Sequence, residues 1–546
     1  MKSVSRRSFV TLLGTSAASA PILFNTIGSA VASDKTDPAR KHIKGVKMAL
    51  TDEEIAILNG KQGPTMAKVL KSVIAYGDAF EAPYLLDVSN DGHWVTGMGQ
   101  KGLDALYDLA DVLIEGGVKA KRPFTIDPYP MDYENIEYTE EEKKENASLY
   151  CHQERWDKQV VKLGLRDGSK KSFSCTCYLP EVGNRPKFGD VLAWAESSAV
   201  IYANSVIGAR CNRNSGPIEM LCSIAGKTPY FGFLTDEARQ ATWHIEIKTS
   251  KLPTATLLGS AIGMKVGAEV PYITGLDQFL GTYLSEAVDD YLKDFGAATA
   301  SNGAVGLYHV ENITPEAKKL GKKLLTKTAK TFVITDEVLA QTKANYPVLW
   351  KDPEARPRYA FVGCPHLTLN QLREWDLRVD TALRAAGRDK LEIPLILCAS
   401  PLVIDRLTPA QVSRMKKNGI HISFLCGAMY MINKVSASYQ QAVSHGLPFL
   451  GAEVRPKGVQ AVMNGGGRVF GGQVDHRAGG QFAHLQQIRP ACNLCGQLQG
   501  QHGFTGTTGR HQRPDRTGHH VGQNVVQRWR RCCERLQNID RLMGSH

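Results

Sequence analysis

Apolar positions recur at helical spacing in several windows, most of them opened by a recognisable start signal. Thr51-Asp52-Glu53-Glu54 has the Thr-x-x-Glu pattern of a capping box and precedes Ile55, Ile57 and Leu58. Gly63-Pro64 stops that run, and a second helical pattern covers Met66 to Tyr76. The short apolar run Ala82-Pro83-Tyr84-Leu85-Leu86 reads as extended, and an amphipathic stretch from Gly102 to Ile114 follows it. Glu140 to Asn146 is a charge run, read as a solvated helix start. Asp190 to Ala209 is almost continuously apolar. Glu196, Ser197, Ser198, Asn204 and Ser205 interrupt it, so the pattern predicts a buried helix in a large core and not a membrane span.

Alternation is clearest between residues 355 and 433. Tyr359 to Gly363, Glu392 to Cys398 and Ile420 to Leu425 read as strands. Thr368 with Gln371 forms a capping pattern that opens a helix, and Pro409 suits the first position of another, which Gly419 ends. Strand, helix and strand joined by short links imply an α/β fold with parallel or mixed sheets covered by helices. At 546 residues the chain is long enough for several such domains.

The ends of the chain change this picture. Ser5-Arg6-Arg7-Ser8-Phe9 precedes an apolar stretch from Phe9 to Ile27, and Ala30-Val31-Ala32 offers a small-residue cleavage site. Residues 1–32 therefore read as a signal peptide resembling the twin-arginine type, which predicts a periplasmic or otherwise exported protein with no stable membrane span after cleavage. An ordinary secretory signal with paired arginines is the alternative. Residues 33–43 read as a linker. The net charge is +12, but residues 456–546 hold twelve Lys+Arg against four Asp+Glu, so eight of the excess charges lie in the tail. The rest shows no basic-aromatic stripe, so no nucleic-acid partner is expected. That tail is rich in arginine, glutamine, histidine and glycine, without a sustained apolar period. Residues 434–546 are expected to be disordered or aberrant, either an out-of-frame translation of a GC-rich gene or a basic tail. Cys492 and Cys495 in it read as a chance pair.

Eight of the twelve cysteines lie between residues 151 and 426, and three of these stand at informative places. Cys364 and Cys426 each follow a strand of the same alternation, where ligands of open α/β sheets collect. Cys364 also precedes a helix, whose amides and dipole favour a thiolate. Cys175 ends a short strand-like run. Three thiolates from separate loops suit an iron–sulfur cluster with one iron left open to substrate. Disulfides or buried free thiols are the alternative reading.

Ala193 to Arg213, with Trp194-Ala195-Glu196-Ser197-Ser198 and Gly208-Ala209-Arg210-Cys211-Asn212-Arg213, resembles the central signature of the aconitase X family. Gly363-Cys364-Pro365-His366, the Cys175 segment and Leu50 to Glu54 match the family's large-subunit part in the same order. The resemblance covers residues 44–433. It implies an aconitase-like, multi-domain α/β architecture and a hydro-lyase that removes water from a small hydroxy acid. Substrates of the 3-hydroxyproline or phosphomevalonate kind, and an iron–sulfur cluster, are implied with it.

Carried over by position, the cluster ligands are Cys175, Cys364 and Cys426. Ser197 and Glu196 are the candidates for proton abstraction. Gly97, Asp127, Arg210, Asn212 and Arg213 fall at substrate-binding positions; the arginines suit carboxylate or phosphate, or else pair internally with an acid such as Glu196. Asp127 stands where the family usually has Asn, Cys211 where it has Thr, and Cys177 where it has Pro, so Cys177 competes with Cys175 as ligand. A Thr-Asn-Ser-x-x-Lys-like active-site segment expected after Asn433 is missing. So is the family's small swivelling domain, which implies a separate small subunit as partner. The rival reading is a catalytically inactive, exported small-molecule-binding relative that lacks the terminal segment.

Overall fold

A computed structural model describes residues 39–346 and 359–426, with the backbone of Ala442–Ser444. The expected signal peptide and the tail 434–546, with Cys492 and Cys495, lie outside the described residues apart from that short strand.

The chain is α/β, as the alternation predicts. Helix starts are set locally. Thr51, Thr139, Thr368 and Thr408 each accept a hydrogen bond from the third residue of the helix that follows, and Glu54, Glu142, Gln371 and Gln411 bond back. Each reciprocal pair satisfies two amides that the first turn leaves free. The predicted helices appear as Asp52–Leu58, Pro64–Ala79, Asp104–Glu115, Glu140–Leu149, Leu369–Ala385 and Pro409–Lys417.

Twelve strands are described. Strands β1 (Leu85–Asp87) and β4 (Lys227–Pro229) pair antiparallel, while β2 (Gly92–Trp94) and β3 (Phe124–Ile126) pair parallel. A four-stranded parallel sheet has the order β7 (His309–Val310), β6 (Pro271–Thr274), β5 (Ala241–Ile247), β8 (Leu325–Ile334). Another has the order β11 (Ile420–Ser423), β10 (Leu395–Ala399), β9 (Tyr359–Leu367), β12 (Ala442–Ser444), again all parallel. Helices Ala255–Val266 and Glu286–Gly303 pack on each other, and the second of them also touches β9. One hydrophobic core runs through both of these sheets and the Trp194 to Cys211 segment; a separate one surrounds β2 and β3. Among the described residues no helix is long and apolar enough to cross a membrane.

Two elements differ from the sequence expectation. Only Ser197–Tyr202 and the wider turn Ala203–Ile207 are helical within Asp190 to Ala209. Ahead of them the backbone is used sideways: Val191 bridges Arg210, Trp194 bridges His93, and the Leu192 N–H donates to the Arg210 carbonyl at 3.0 Å. Non-local pairing thus overrides the apolar run's helical appearance. In the later sheet, β9 continues past Gly363 through Cys364 to Leu367, with its register on β10 shifting between Leu397 and Ala399. Cys364 therefore lies in an irregular stretch of strand, ahead of the Thr368 cap and not against the helix start.

Candidate active site

Strand β2 lies between two neighbours that run the same way. β3 flanks one side; on the other, Trp194 bridges His93 in parallel and the Ala195 N–H donates to the His93 carbonyl at 3.1 Å. Beyond β3, Phe173 bridges Ile126 in parallel, and the Ser174 N–H donates to the Ile126 carbonyl at 2.8 Å. Four segments with one direction release their next residues at one edge. Those residues are Glu196, the Thr96-Gly97 turn, Asp127 and Cys175. Ligands gather at such carboxyl ends because side chains from several strands converge there.

The later sheet meets this edge. Tyr129 bridges Leu425 in parallel, the Cys426 N–H donates to the Tyr129 carbonyl at 2.5 Å, and Ser423 Oγ donates to Asp132 at 2.7 Å. His366, fully buried, lies at the junction. Its backbone N–H donates to Cys175 Sγ at 3.3 Å. Its ring Nε2 is 3.0 Å from the Leu425 carbonyl, and its Nδ1 is 3.4 Å from Ser174 Oγ. A carbonyl only accepts, so Nε2 carries the proton and Nδ1 accepts from the serine. Lys293 Nζ donates to the His366 carbonyl at 3.2 Å and to Asp294 at 2.7 Å.

The three predicted cysteines are thereby brought together. Burial raises the Cys175 thiol's pKa first, followed by the charge of Glu196 and then those of Cys364, Asp127 and Cys426. Cys177 packs in the large core and takes a hydrogen bond with Thr125, and Glu196 and Asp127 add to the rise that burial gives its pKa. None of the eight described cysteines is in a disulfide. Cys398 in β10 is a fourth thiol of this neighbourhood. Burial raises its pKa, as do the nearby Cys426, Asp132 and Cys364. Gly363 lies directly over it with φ +137°, and a Cβ there would fall 2.4 Å from the Cys398 Cβ. Only glycine permits both that conformation and that approach. Among the described residues no three His, Cys, Asp or Glu side chains close around a single ion. Three thiols from three segments, with the charges of Cys364 and Cys426 acting on Cys175, fit a larger cationic group whose iron atoms would share them.

Glu196 is the N-cap of the Ser197–Tyr202 helix. Its Oε2 accepts from the Ala199 N–H at 2.5 Å and from Ser198 Oγ at 2.7 Å. Its Oε1 accepts from Ser197 Oγ at 3.2 Å. The half-buried Ser197 thus has the carboxylate partner that the sequence alone does not name. Burial pushes the Glu196 carboxyl above its ordinary range, Asp127 adds to the shift, and the Ser198 bonds oppose it. Behind Glu196, Asp127 and His93 face each other. Asp127 Oδ1 and His93 Nε2 are 3.6 Å apart, and both are buried without a hydrogen-bond partner. Burial pushes Asp127 up to about 8 and His93 down to about 4.

Gly97 joins the site through its loop. It has φ +71°, a Cβ would fall 2.9 Å from the Tyr107 ring, and its carbonyl accepts from Tyr107 at 3.0 Å. The next residue, Met98, packs with Tyr150 and Cys426. Arg210, Asn212 and Arg213 are held by a different segment. Arg210 pairs with Asp236 and donates to the Leu234 carbonyl at 2.8 Å; its acid is therefore Asp236 and not Glu196. Asn212 bonds Phe231 and Phe233, and Arg213 bonds the Ala304 carbonyl beside the Phe233 ring. Sequence reasoning passed over His93, the role of His366 in this junction, and Cys398. The nearest signal was the placement of His366 two residues after Cys364.

The chain is similar to known proteins in sequence and in fold. Residues 47–237 match the aconitase X first domain and residues 233–344 the aconitase X second domain. The phosphomevalonate dehydratase large subunit of Thermococcus kodakarensis is 31% identical over 361 residues, spanning 65% of this chain and 82% of that protein. The cis-3-hydroxy-L-proline dehydratase of Pseudomonas aeruginosa is 29% identical over 375 residues, spanning 64% of this chain and 56% of that protein. The crystal structure of Thermococcus kodakaraensis aconitase X in its holo form superposes with a TM-score of 0.60 at 27% identity, covering 80% of this chain and all of that one. With both domains matched in order and the α/β framework shared, this chain belongs to the aconitase X family of hydro-lyases.

Proposed function

We propose that the protein is an exported dehydratase that removes water from a small hydroxy acid, with an iron–sulfur cluster on Cys175, Cys364 and Cys426. The observation that carries this reading is the meeting of the three thiol-bearing segments at His366, beside Glu196 and Ser197. When bound, the cluster supplies a Lewis-acidic iron for the substrate hydroxyl.

The chain's own residues do the rest. Ser197 Oγ–H gives its proton to the Glu196 carboxylate as the serine oxygen takes the proton from the carbon next to the hydroxyl, and the electron pair of that C–H bond forms the double bond as the hydroxyl leaves. The raised pKa of Glu196 makes it a better proton acceptor than an exposed glutamate. The Gly97 turn and Asp127 bound the substrate on the remaining sides. Arg210, through its pairing with Asp236, holds the signature segment in place, and Arg213, held by the Ala304 carbonyl beside the Phe233 ring, suits an acidic group of the substrate.

The relatives act on phosphomevalonate and on cis-3-hydroxy-L-proline. Export through the Arg6-Arg7 leader favours a scavenged, hydroxyproline-like acid over a cytoplasmic phosphate ester. The name "large subunit" of the archaeal relatives supports a separate small subunit as partner. Anaerobic purification, iron and sulfide analysis, and mass detection of water loss from both compounds test the proposal. Binding of either compound with no cluster and no water loss would establish the inactive binding protein instead.

A further inference from the structure

We infer that His366 is the positioning residue that sets the mutual geometry of the three cysteine ligands; this rests on the cluster reading above. The argument is geometric. Each cysteine lies on a different segment, and nothing local in the sequence fixes one thiol against another. His366 shares a strand with one of them, and its own hydrogen bonds reach the segments that carry the other two. It is two residues from Cys364 within β9. Its backbone N–H bonds Cys175 Sγ, and its Nδ1 bonds Ser174, the residue before Cys175. Its Nε2–H bonds the carbonyl of Leu425, the residue before Cys426.

The ring thus works as a spacer with a donor on one side and an acceptor on the other. Both sides are needed in a single tautomer, which the Leu425 carbonyl enforces. The Lys293 contact to the His366 carbonyl holds the spacer from behind, and Lys293 is itself anchored to Asp294. No exposed surface is involved, so solvent does not compete for these bonds. Residues that orient metal ligands from the outer layer cost ten- to a hundred-fold in metal affinity when removed, as an order of magnitude.

The experiment uses the full chain, wild type and variants, prepared without cofactor and reconstituted anaerobically with iron and sulfide. The visible cluster band is recorded, and its loss on titration with an iron chelator gives the relative affinity. Wild type is expected to give a cluster spectrum. His366→Ala is expected to hold the cluster on the order of ten- to a hundred-fold more weakly, while far-ultraviolet circular dichroism stays unchanged. His366→Gln keeps an N–H donor for Leu425 but carries its acceptor oxygen away from the Nδ1 position that faces Ser174, so it should recover only part of the loss. Ser174→Ala removes only the Nδ1 partner and should give a smaller shift in the same direction. If His366→Ala fails to fold, the two milder variants carry the comparison. Wild-type affinity and band intensity in His366→Gln and Ser174→Ala overturn the inference and leave the cluster reading standing. Absence of a cluster in reconstituted wild type overturns both.

Discussion

Replacing Asp127 by asparagine should make the protein more stable at neutral pH and remove part of its pH dependence. Asp127 is 3% exposed, its Oδ1 has no hydrogen-bond partner, and burial alone raises its pKa from 3.8 to about 8. In the unfolded chain the carboxyl ionises near its ordinary value, so between about pH 4 and pH 8 the unfolded state has lost a proton that the folded state keeps. Folding stability therefore falls as pH rises through that window, by roughly 1.4 kcal/mol per unit. The penalty reaches about 4 kcal/mol near pH 7, an upper value because entering water would lower it. Asparagine has the same size and no charge. Asp127→Asn should match wild type below about pH 4 and gain about 3 kcal/mol on it between about pH 5 and pH 7. Urea unfolding followed by tryptophan fluorescence checks this, since Trp94 and Trp194 flank the site. Parallel pH profiles for the two proteins would refute the reasoning, because they would mean that Asp127 ionises equally in both states.

Three further predictions concern the site and the leader. Cys175→Ser should abolish iron-linked visible absorbance, whereas Cys177→Ser, which alters a core position bonded to Thr125, should keep it; an equal loss in both would undo the distinction. Ser197→Ala should lower turnover by about a hundred-fold or more while the cluster spectrum persists, and Ser197→Ala retaining full turnover would remove it from proton transfer. The double change Arg6→Lys with Arg7→Lys should stop export in a fractionation assay, since lysine keeps the charge that an ordinary secretory signal needs; unaffected export would exclude the twin-arginine route.

What the sequence revealed depended on range. Capping boxes at Thr51 and Thr368 were legible because a cap is settled by residues three apart, and Pro409 marked the start of a further helix, whose box at Thr408 was passed over. The strand alternation from Tyr359 to Leu425 was legible for the same reason, although β9 runs four residues further than its apolar run suggests. The Asp190 to Ala209 stretch misled because its first half is decided by pairing with His93 and Arg210, and composition carries no trace of such partners. The convergence of Cys175, Cys364 and Cys426 came from a family resemblance. Between Cys175 and Cys177 the fold adds one distinction that spacing does not carry: Cys175 takes the His366 N–H, and Cys177 bonds Thr125. The orphaned Asp127–His93 pair was invisible because its two members come from different strands.

The junction at His366 also has a consequence for biosynthesis. Its contacts tie position 174 to positions 366 and 425. When a ribosome has finished the four-stranded sheet that ends at Ile334, the segment carrying Cys175 is complete but its two companions have not yet been made. The pocket therefore closes late, after nearly all of the described chain has emerged, and contacts of such long sequence separation form slowly. Any cofactor assembled there has to be delivered to a finished polypeptide. Translation arrest before residue 426 would leave a nascent chain with most of its secondary structure and an open site.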